Sequence, residues 1–563
     1  MVLTRYLALA ALVSTSLSCS GLSGSQDGGV CTACDAGKPA KCAVPEAGAV
    51  SLTRLSVTSK TGSSLVPAFS PGTYDYYVQC AAGVNELTVS MTASSGAKAS
   101  ISIETPGGSL HPVTGSSLSV NEGQAIVVTA TAGEASREYW VRCVPHDFPE
   151  MQWTTHETGC TRPPGYYLIG TMSLPPNKGP YAIVLDVHGV PVWYRYNAQG
   201  GVYDVETLTP GAISFAPYWQ VDHLAGSTTL PVVEPYDEGG PLGSPDPHEL
   251  RILPNGHYLA LQSPGIHGVD LTGLSLPLPG GGVGMHGKNE TILACEVQEF
   301  DSTGKVWWEW TATDHFDPVQ VMVLKGNGEL GAEGCTDGPG SLGCYVEPFH
   351  CNSIDVDTSN GDANNGNLLI AARHMNSVFY VEKKTGTVLW KMGGADSSKD
   401  NAVYVRPDDP FVGMHDARFQ PDWRQTCSGW SGQISLFDDE TDTMNPARGA
   451  VYDVRVDRGG SACAEAGAGG ATGATLRWQY KNSLDGGTTS NTCGSFRITP
   501  DGSRIIDWGQ SEPTPNGLVF TEVDEKGNDL LDLICPDLSS SYRAVKVPLS
   551  AFDLDLLRRA AGQ

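Results

Sequence analysis

The chain is short of positive charge. Its 35 Lys and Arg stand against 62 Asp and Glu, a formal net charge of −27 over 563 residues. A nucleic-acid binder needs basic surface to displace counterions, so that partner class is excluded, and the acidity serves solubility. Long apolar runs are missing too. The run from Leu7 to Val13 is far below the roughly 20 residues a bilayer span requires, and no other segment reads as transmembrane. There is no strongly amphipathic helical pattern before Leu554–Arg559, no HExxH zinc motif and no clear calcium-and-quinone constellation. Charged residues make up only 17% of the chain, while Gly (67) and Pro (37) are plentiful. Low charge with abundant turn formers predicts an all-β fold of many short strands. The length allows two or three domains.

The first residues read as an export signal, 1–18. Arg5 supplies the early positive charge, a short apolar stretch follows, and small residues lead to Cys19. Leu17-Ser-Cys19-Ser20 resembles a lipoprotein signal, in which the cysteine is acylated and becomes the mature N-terminus. The pattern departs at Ser16, where Leu is usual, and plain secretion is the alternative. Export would leave the chain lipid-anchored to a bacterial membrane, on its periplasmic or outer side, or secreted. Of the 15 cysteines, 14 remain without Cys19. An exported chain meets oxidising conditions, so pairing is expected. Cys31-Thr-Ala-Cys34, with Cys42 nearby, is a disulfide knot or a metal or redox motif.

Residues 19–50 are rich in Gly, Ala and Ser and lack periodicity, the composition of a flexible linker. From 51 to 145, short alternating stretches recur, among them Leu55-Ser-Val57, Tyr76-Tyr-Val78, Leu87-Thr-Val-Ser-Met91 and Tyr139-Trp-Val141. This is the pattern of a small β-sandwich. The Leu-x-Val opening, the Phe-Ser-Pro turn before Tyr74 and the closing Arg137-Glu-Tyr-Trp-Val-Arg142 resemble the bacterial cadherin-like sandwich family. Cys80 and Cys143 follow two strands of this unit and are expected to pair.

Residues 146–563 form the remaining domain, and from about Gly165 a two-part repeat runs through it. One half is a polar Gly turn before an apolar strand, as in Pro254-Asn-Gly256, Asn365-Gly366-Asn-Leu-Leu-Ile370 and Pro500-Asp-Gly502. The other is a Gly turn before a strand that usually carries Trp, as at Trp193, Trp307, Trp390 and Trp478. Units begin near Tyr166, Asp204, His248, His350, His415 and Gly494, which predicts a six-bladed β-propeller behind the sandwich. The extended stretch Tyr542–Val547 is placed to close the ring on the first blade.

The units share a register. Asp204, His248, His415 and Gly494 each stand six residues before the Pro at 210, 254, 421 and 500, and His350 enters its strand within a residue of the same place. Equivalent positions lie at equivalent places about a propeller axis, so three imidazoles would ring one end of the funnel. Each could instead be a satisfied core or surface histidine. His188, His257 and His267 read as turn residues. Arg373 follows the apolar strand Leu368–Ala372 and needs an anion, a carboxylate or solvent, so a structural salt bridge is the alternative there.

Several segments now fall into one pattern. Phe349-His-Cys-Asn-Ser-Ile-Asp355, Leu369-Ile-Ala-Ala-Arg-His374, Gly386-Thr-Val-Leu-Trp-Lys-Met-Gly-Gly394, Met414-His-Asp-Ala-Arg418 and Ile434-Ser-Leu-Phe-Asp438 resemble the arylsulfotransferase family in order and spacing. Pro247-His-Glu-Leu-Arg-Ile-Leu-Pro-Asn-Gly256 is similar to its upstream motif. The resemblance covers about 160–548. It implies a six-bladed propeller that moves a sulfuryl group from an aryl sulfate donor to a phenolic acceptor, with no cofactor and no nucleotide sulfate. It further implies His415 as the transiently sulfated nucleophile, with His248, His350 and Arg373 holding the sulfuryl group. The chain departs from the pattern at Pro247, in the long loop between Asp357 and Leu368, and in an insertion carrying Cys427. These departures bear on the acceptor pocket more than on the sulfuryl site. The competing expectations are a non-catalytic, surface-displayed propeller that binds a ligand or partner, a quinoprotein-like dehydrogenase, and a three-His metal enzyme.

Overall fold

The structure is a computed structural model. It describes residues 50–562 apart from 60–61, 106–107, 157–161, 199, 217–219, 223–226, 230–244, 278–281, 325–344, 398, 400, 444, 459–470, 482–489 and 511–516. The signal, most of the linker, Cys19 and the Cys31–Cys34–Cys42 group therefore lie outside the described residues.

Residues 52–144 form two sheets. One pairs Leu52–Ser59, Val84–Ala93 and Ser117–Asn121; the other has five strands, with Asp75–Gln79 running parallel to Ala135–Val144. In Val84–Ala93 the residues alternate between exposed and inward, which puts Leu87 and Val89 into a shared core with Val57, Val78, Val128 and Val141. A disulfide joins Cys80 to Cys143 inside this core.

Six larger sheets of four or five strands follow among the described residues. Their inner strands are Ser540–Pro548, Tyr203–Glu206, Pro245–Ile252, Cys351–Val356, His415–Phe419 and Ser495–Ile498, and each touches the next around a closed ring. That arrangement is a β-propeller. Strands from both ends of the ring-forming segment stitch it shut. Ser540–Pro548 pairs antiparallel with Gly165–Ser173, and Gln152–Thr155 adds an outer strand against Asp529–Ile534.

Local sequence follows from this stacking. Leu368–Ala372 is apolar at every position because both of its faces are covered: Leu368, Ile370 and Ala372 enter one inter-sheet core, while Leu369 and Ala371 enter the next. Trp193 and Trp390 of the Gly-turn repeat are fully buried between sheets. Trp307 departs from that pattern. It is 56% exposed, with the Lys305 ammonium 3.8 Å above its ring, and Trp310 fills the core instead. His267, expected in a turn, lies in the strand Gly265–Val269. That strand pairs with Glu290–Leu293 in one of two small two-stranded sheets inserted between Tyr258–Gln262 and Glu296–Phe300.

The helix Leu554–Ala560, capped by the Asp553 carboxylate, latches the two parts together. Arg558 holds Asp75 of the sandwich through two bonds, Nε–Oδ1 at 2.8 Å and Nη2–Oδ2 at 2.7 Å, and its carbonyl accepts from Arg142.

The ring's axis is filled with charge. Arg543 pairs with Asp204 and Glu249, Arg418 with Glu249 and Asp416, and Arg497 with Asp416 and Glu206. Arg418 also donates to the Ile354 carbonyl at 2.6 Å, so every inner strand contributes to one buried network. Burial alone would raise Glu206, but the Arg497 and Arg543 charges hold it at about 2.

Candidate active site

The three register histidines meet beside this plug. His248 and His350 have ring centroids 5.0 Å apart, and His350 and His415 6.5 Å apart. Tyr542 packs edge-on against His248 at 5.3 Å and His415 at 6.5 Å. Its hydroxyl donates to the Asn352 carbonyl at 2.9 Å, and burial lifts its pKa well above the ordinary phenol value, so it stays a neutral wall.

Each of the three rings meets a carboxylate through the same nitrogen. Nδ1 of His248 pairs with Asp246, Nδ1 of His350 with Glu347 at 2.8 Å, and Nδ1 of His415 with Asp439 at 2.6 Å. With Nδ1 engaged, Nε2 is the working nitrogen of each ring. Burial would raise Asp246, but the charge and hydrogen bond of His248, helped by Ser263, bring it to about 2.

His415 and Asp439 are both fully buried. His415 opens the inner strand His415–Phe419 opposite Phe437, so the turn after Phe437 carries Asp439 back to the ring. Asp438 fixes that turn by accepting from the Val412 amide at 2.8 Å and from Arg448 Nε at 2.9 Å. Gly413 is required on the other side. Its φ is 71°, a Cβ there would stand 2.4 Å from Thr441 Oγ1, and its carbonyl lies 3.1 Å from His415 Nδ1.

His350 has a left-handed backbone, φ 50°, unusual for a side chain of its size. The Arg373 amide donates to its carbonyl at 2.9 Å, and the next residue, Cys351, is disulfide-bonded to Cys295. The inserted hairpins help to hold Glu347, because Thr291 and Leu293 bond Val346 in both directions at 2.9 Å.

Arg373 is fully buried and donates to His374 Nε2 at 2.9 Å and to the Asn491 carbonyl at 2.6 Å. The sequence marked His248, His350, His415 and Arg373, and the fold gathers all four into one place. It did not mark Asp246, Glu347, Asp439, His374 or Tyr542. Asp246 and Glu347 stand two and three residues before their histidines, a signal within reach. Asp439 is 24 residues from its partner, and only the strand register reveals it.

Glu347, His350 and His374 offer ligand atoms within 4.8 Å of one another, as do Asp204, Glu206 and Glu249. A cation in the first group would meet the Arg373 guanidinium already bonded to His374. The second group is bound by the arginines of the axis. In both groups an arginine already supplies the positive charge beside the carboxylates.

The family model described as Arylsulfotransferase (ASST) matches residues 280–528. Over those residues the chain resembles the arylsulfotransferases. The match takes in His350, Arg373 and His415, while His248 lies before it, and it supports an arylsulfotransferase-type function in general. No curated protein matches the chain. Among solved structures, Hsv2p of Kluyveromyces lactis aligns at 9% identity and a TM-score of 0.25, covering 80% of this chain and 99% of that one. A quinonprotein alcohol dehydrogenase-like protein of Bacteroides thetaiotaomicron aligns at 9% identity and a TM-score of 0.25, covering 86% and 98%.

Proposed function

We propose that this protein transfers a sulfuryl group from an aryl sulfate to a phenol through a sulfohistidine at His415. The observation that carries the proposal is the meeting of three Nδ1-anchored imidazoles with the buried Arg373. In the first half-reaction His415 Nε2 attacks sulfur, the N–S bond forms and the S–O bond to the ring breaks. The departing phenolate takes a proton from His248 or His350. In the second half the acceptor phenol returns its proton to that histidine, its oxygen attacks sulfur, and the N–S bond breaks. The sulfuryl oxygens are anionic throughout, and Arg373 with an imidazolium supplies preorganised positive charge. Export and acylation at Cys19 belong to the same reading and would tether the enzyme by lipid alone.

The test is incubation with a chromogenic aryl sulfate, with and without a phenol. Donor alone should leave a sulfuryl adduct in the intact mass, absent in His415→Ala, and turnover should follow ping-pong kinetics. His248→Ala, His350→Ala and Arg373→Ala should each slow transfer by about 10²-fold or more. An active wild type with no adduct, or an adduct that persists in His415→Ala, defeats the assignment. Neither turnover nor adduct across a broad donor panel favours a non-catalytic binding propeller.

A further inference from the structure

We infer that Asp439 is the positioning residue that fixes His415 in the Nδ1–H tautomer and so makes Nε2 the sulfuryl-accepting nitrogen. The inference rests on the reading of His415 as nucleophile but is argued from geometry of its own.

His415 Nδ1 has two oxygens within hydrogen-bond reach, Asp439 Oδ2 at 2.6 Å and the Gly413 carbonyl at 3.1 Å. Neither can donate, since a carbonyl and a carboxylate only accept. A bare Nδ1 lone pair there would face two further sets of lone pairs inside a site where His415 and Asp439 are both 0% exposed. Burial leaves that repulsion unrelieved, so the proton stays on Nδ1 whether the ring is neutral or charged. The lone pair of the neutral ring then belongs to Nε2. When an N–S bond forms at Nε2 the ring becomes cationic, and the buried carboxylate compensates that charge as it develops.

His248 and His350 are anchored in the same sense but less completely. Their side chains retain 15% and 12% exposure, where His415 retains none. Asp439 therefore does for its ring what solvent partly does for the other two. The neighbouring Asp438 holds the turn that carries Asp439, accepting from the Val412 amide and from Arg448 Nε.

Asp439→Asn keeps size and shape, and its amide can donate to Nδ1, which drives the proton to Nε2. With ¹⁵N-labelled histidine, the His415 signals are assigned by their loss in His415→Gln. The wild type should show a protonated Nδ1 and an unprotonated Nε2, and Asp439→Asn should move the proton to Nε2. With an aryl sulfate donor, kcat should fall about 10²- to 10⁴-fold, the range seen when a catalytic histidine is held in the wrong tautomer, with little change in KM. Asp439→Glu restores the acceptor and should recover the Nδ1–H tautomer even where the longer arm leaves kcat low. A wild-type Nε2–H tautomer, or an unchanged tautomer in Asp439→Asn, overturns the inference. The tautomer is read in the resting protein. If it follows Asp439 but no donor is turned over, positioning by Asp439 stands and the sulfotransferase reading falls.

Discussion

Arg373 Nη1 and Nε2 of its sequence neighbour His374 meet at 2.9 Å. The contact is possible because His374 gives its Nδ1 proton to the Glu347 carbonyl at 2.5 Å and keeps a lone pair on Nε2. The imidazole is thus an acceptor that orients a guanidinium, and its ring lies 4.8 Å from that of His350. His374→Phe keeps the ring packing and removes the acceptor. A hydrogen bond to a charged group is worth roughly 1.5–3 kcal/mol, so kcat/KM for an aryl sulfate should fall about 10- to 100-fold. Steady-state kinetics on a variant with unchanged circular dichroism checks this. A value within twofold of wild type would mean that Arg373 does not need His374.

Much of this site was legible before any fold was known, and the reason is the repeat. Equivalent positions in a ring of like sheets face the same end of the axis, so the shared spacing to Pro254 and Pro421 was enough to bring His248 and His415 together. The apolar run Leu368–Ala372 likewise announced a strand covered on both faces. Other features stayed hidden because they depend on turns and pairings that spacing does not encode. Asp439 reaches His415 only through the pairing of His415 with Phe437. Arg418, three residues after His415 in the same motif, turns to the axis because a bulge with Asp416 at φ 58° lies between them. Trp307 and Trp310 show the same limit on the outer side. Both fit a Trp-bearing strand, and which one is buried depends on the register of Val306–Thr311 against its neighbour.

Asp507 links stability to pH. It is fully buried and accepts from the Gly509 amide and the Ser541 hydroxyl. Burial raises it to about 7, outweighing those hydrogen bonds. Between the ordinary carboxyl value near 3.8 and about 7, the folded protein holds a proton that the unfolded chain has lost. Raising the pH through that window therefore weakens the fold, by up to about 1.4 kcal/mol per pH unit. Asp507→Asn keeps an acceptor for Gly509, gains a donor for Ser541 and removes the titration. Its melting temperature relative to wild type should be higher at pH 8 than at pH 5. A difference that is the same at both values would show that Asp507 does not titrate in this window.

Arg543 is the residue on which the axial network turns. It comes from the C-terminal strand, is fully buried, and pairs with Asp204 of the second sheet and Glu249 of the third, with its Nε 3.3 Å from Asp416 of the fifth. Removing one partner of a buried ion pair strands the others in a low dielectric and typically costs about 3–5 kcal/mol, whereas replacing both partners by apolar groups is often neutral. Arg543→Met should accordingly lower the urea midpoint sharply. Arg543→Met combined with Asp204→Leu should recover a substantial part of the loss, because Glu249 and Asp416 keep Arg418, and Asp416 also keeps Arg497. Asp416 adjoins His415, so the single variant should also lose transfer activity beyond its loss of folded protein, and the double variant should regain some of it. Equal midpoints for the single and double variants would mean that the Asp204 charge is not what Arg543 compensates.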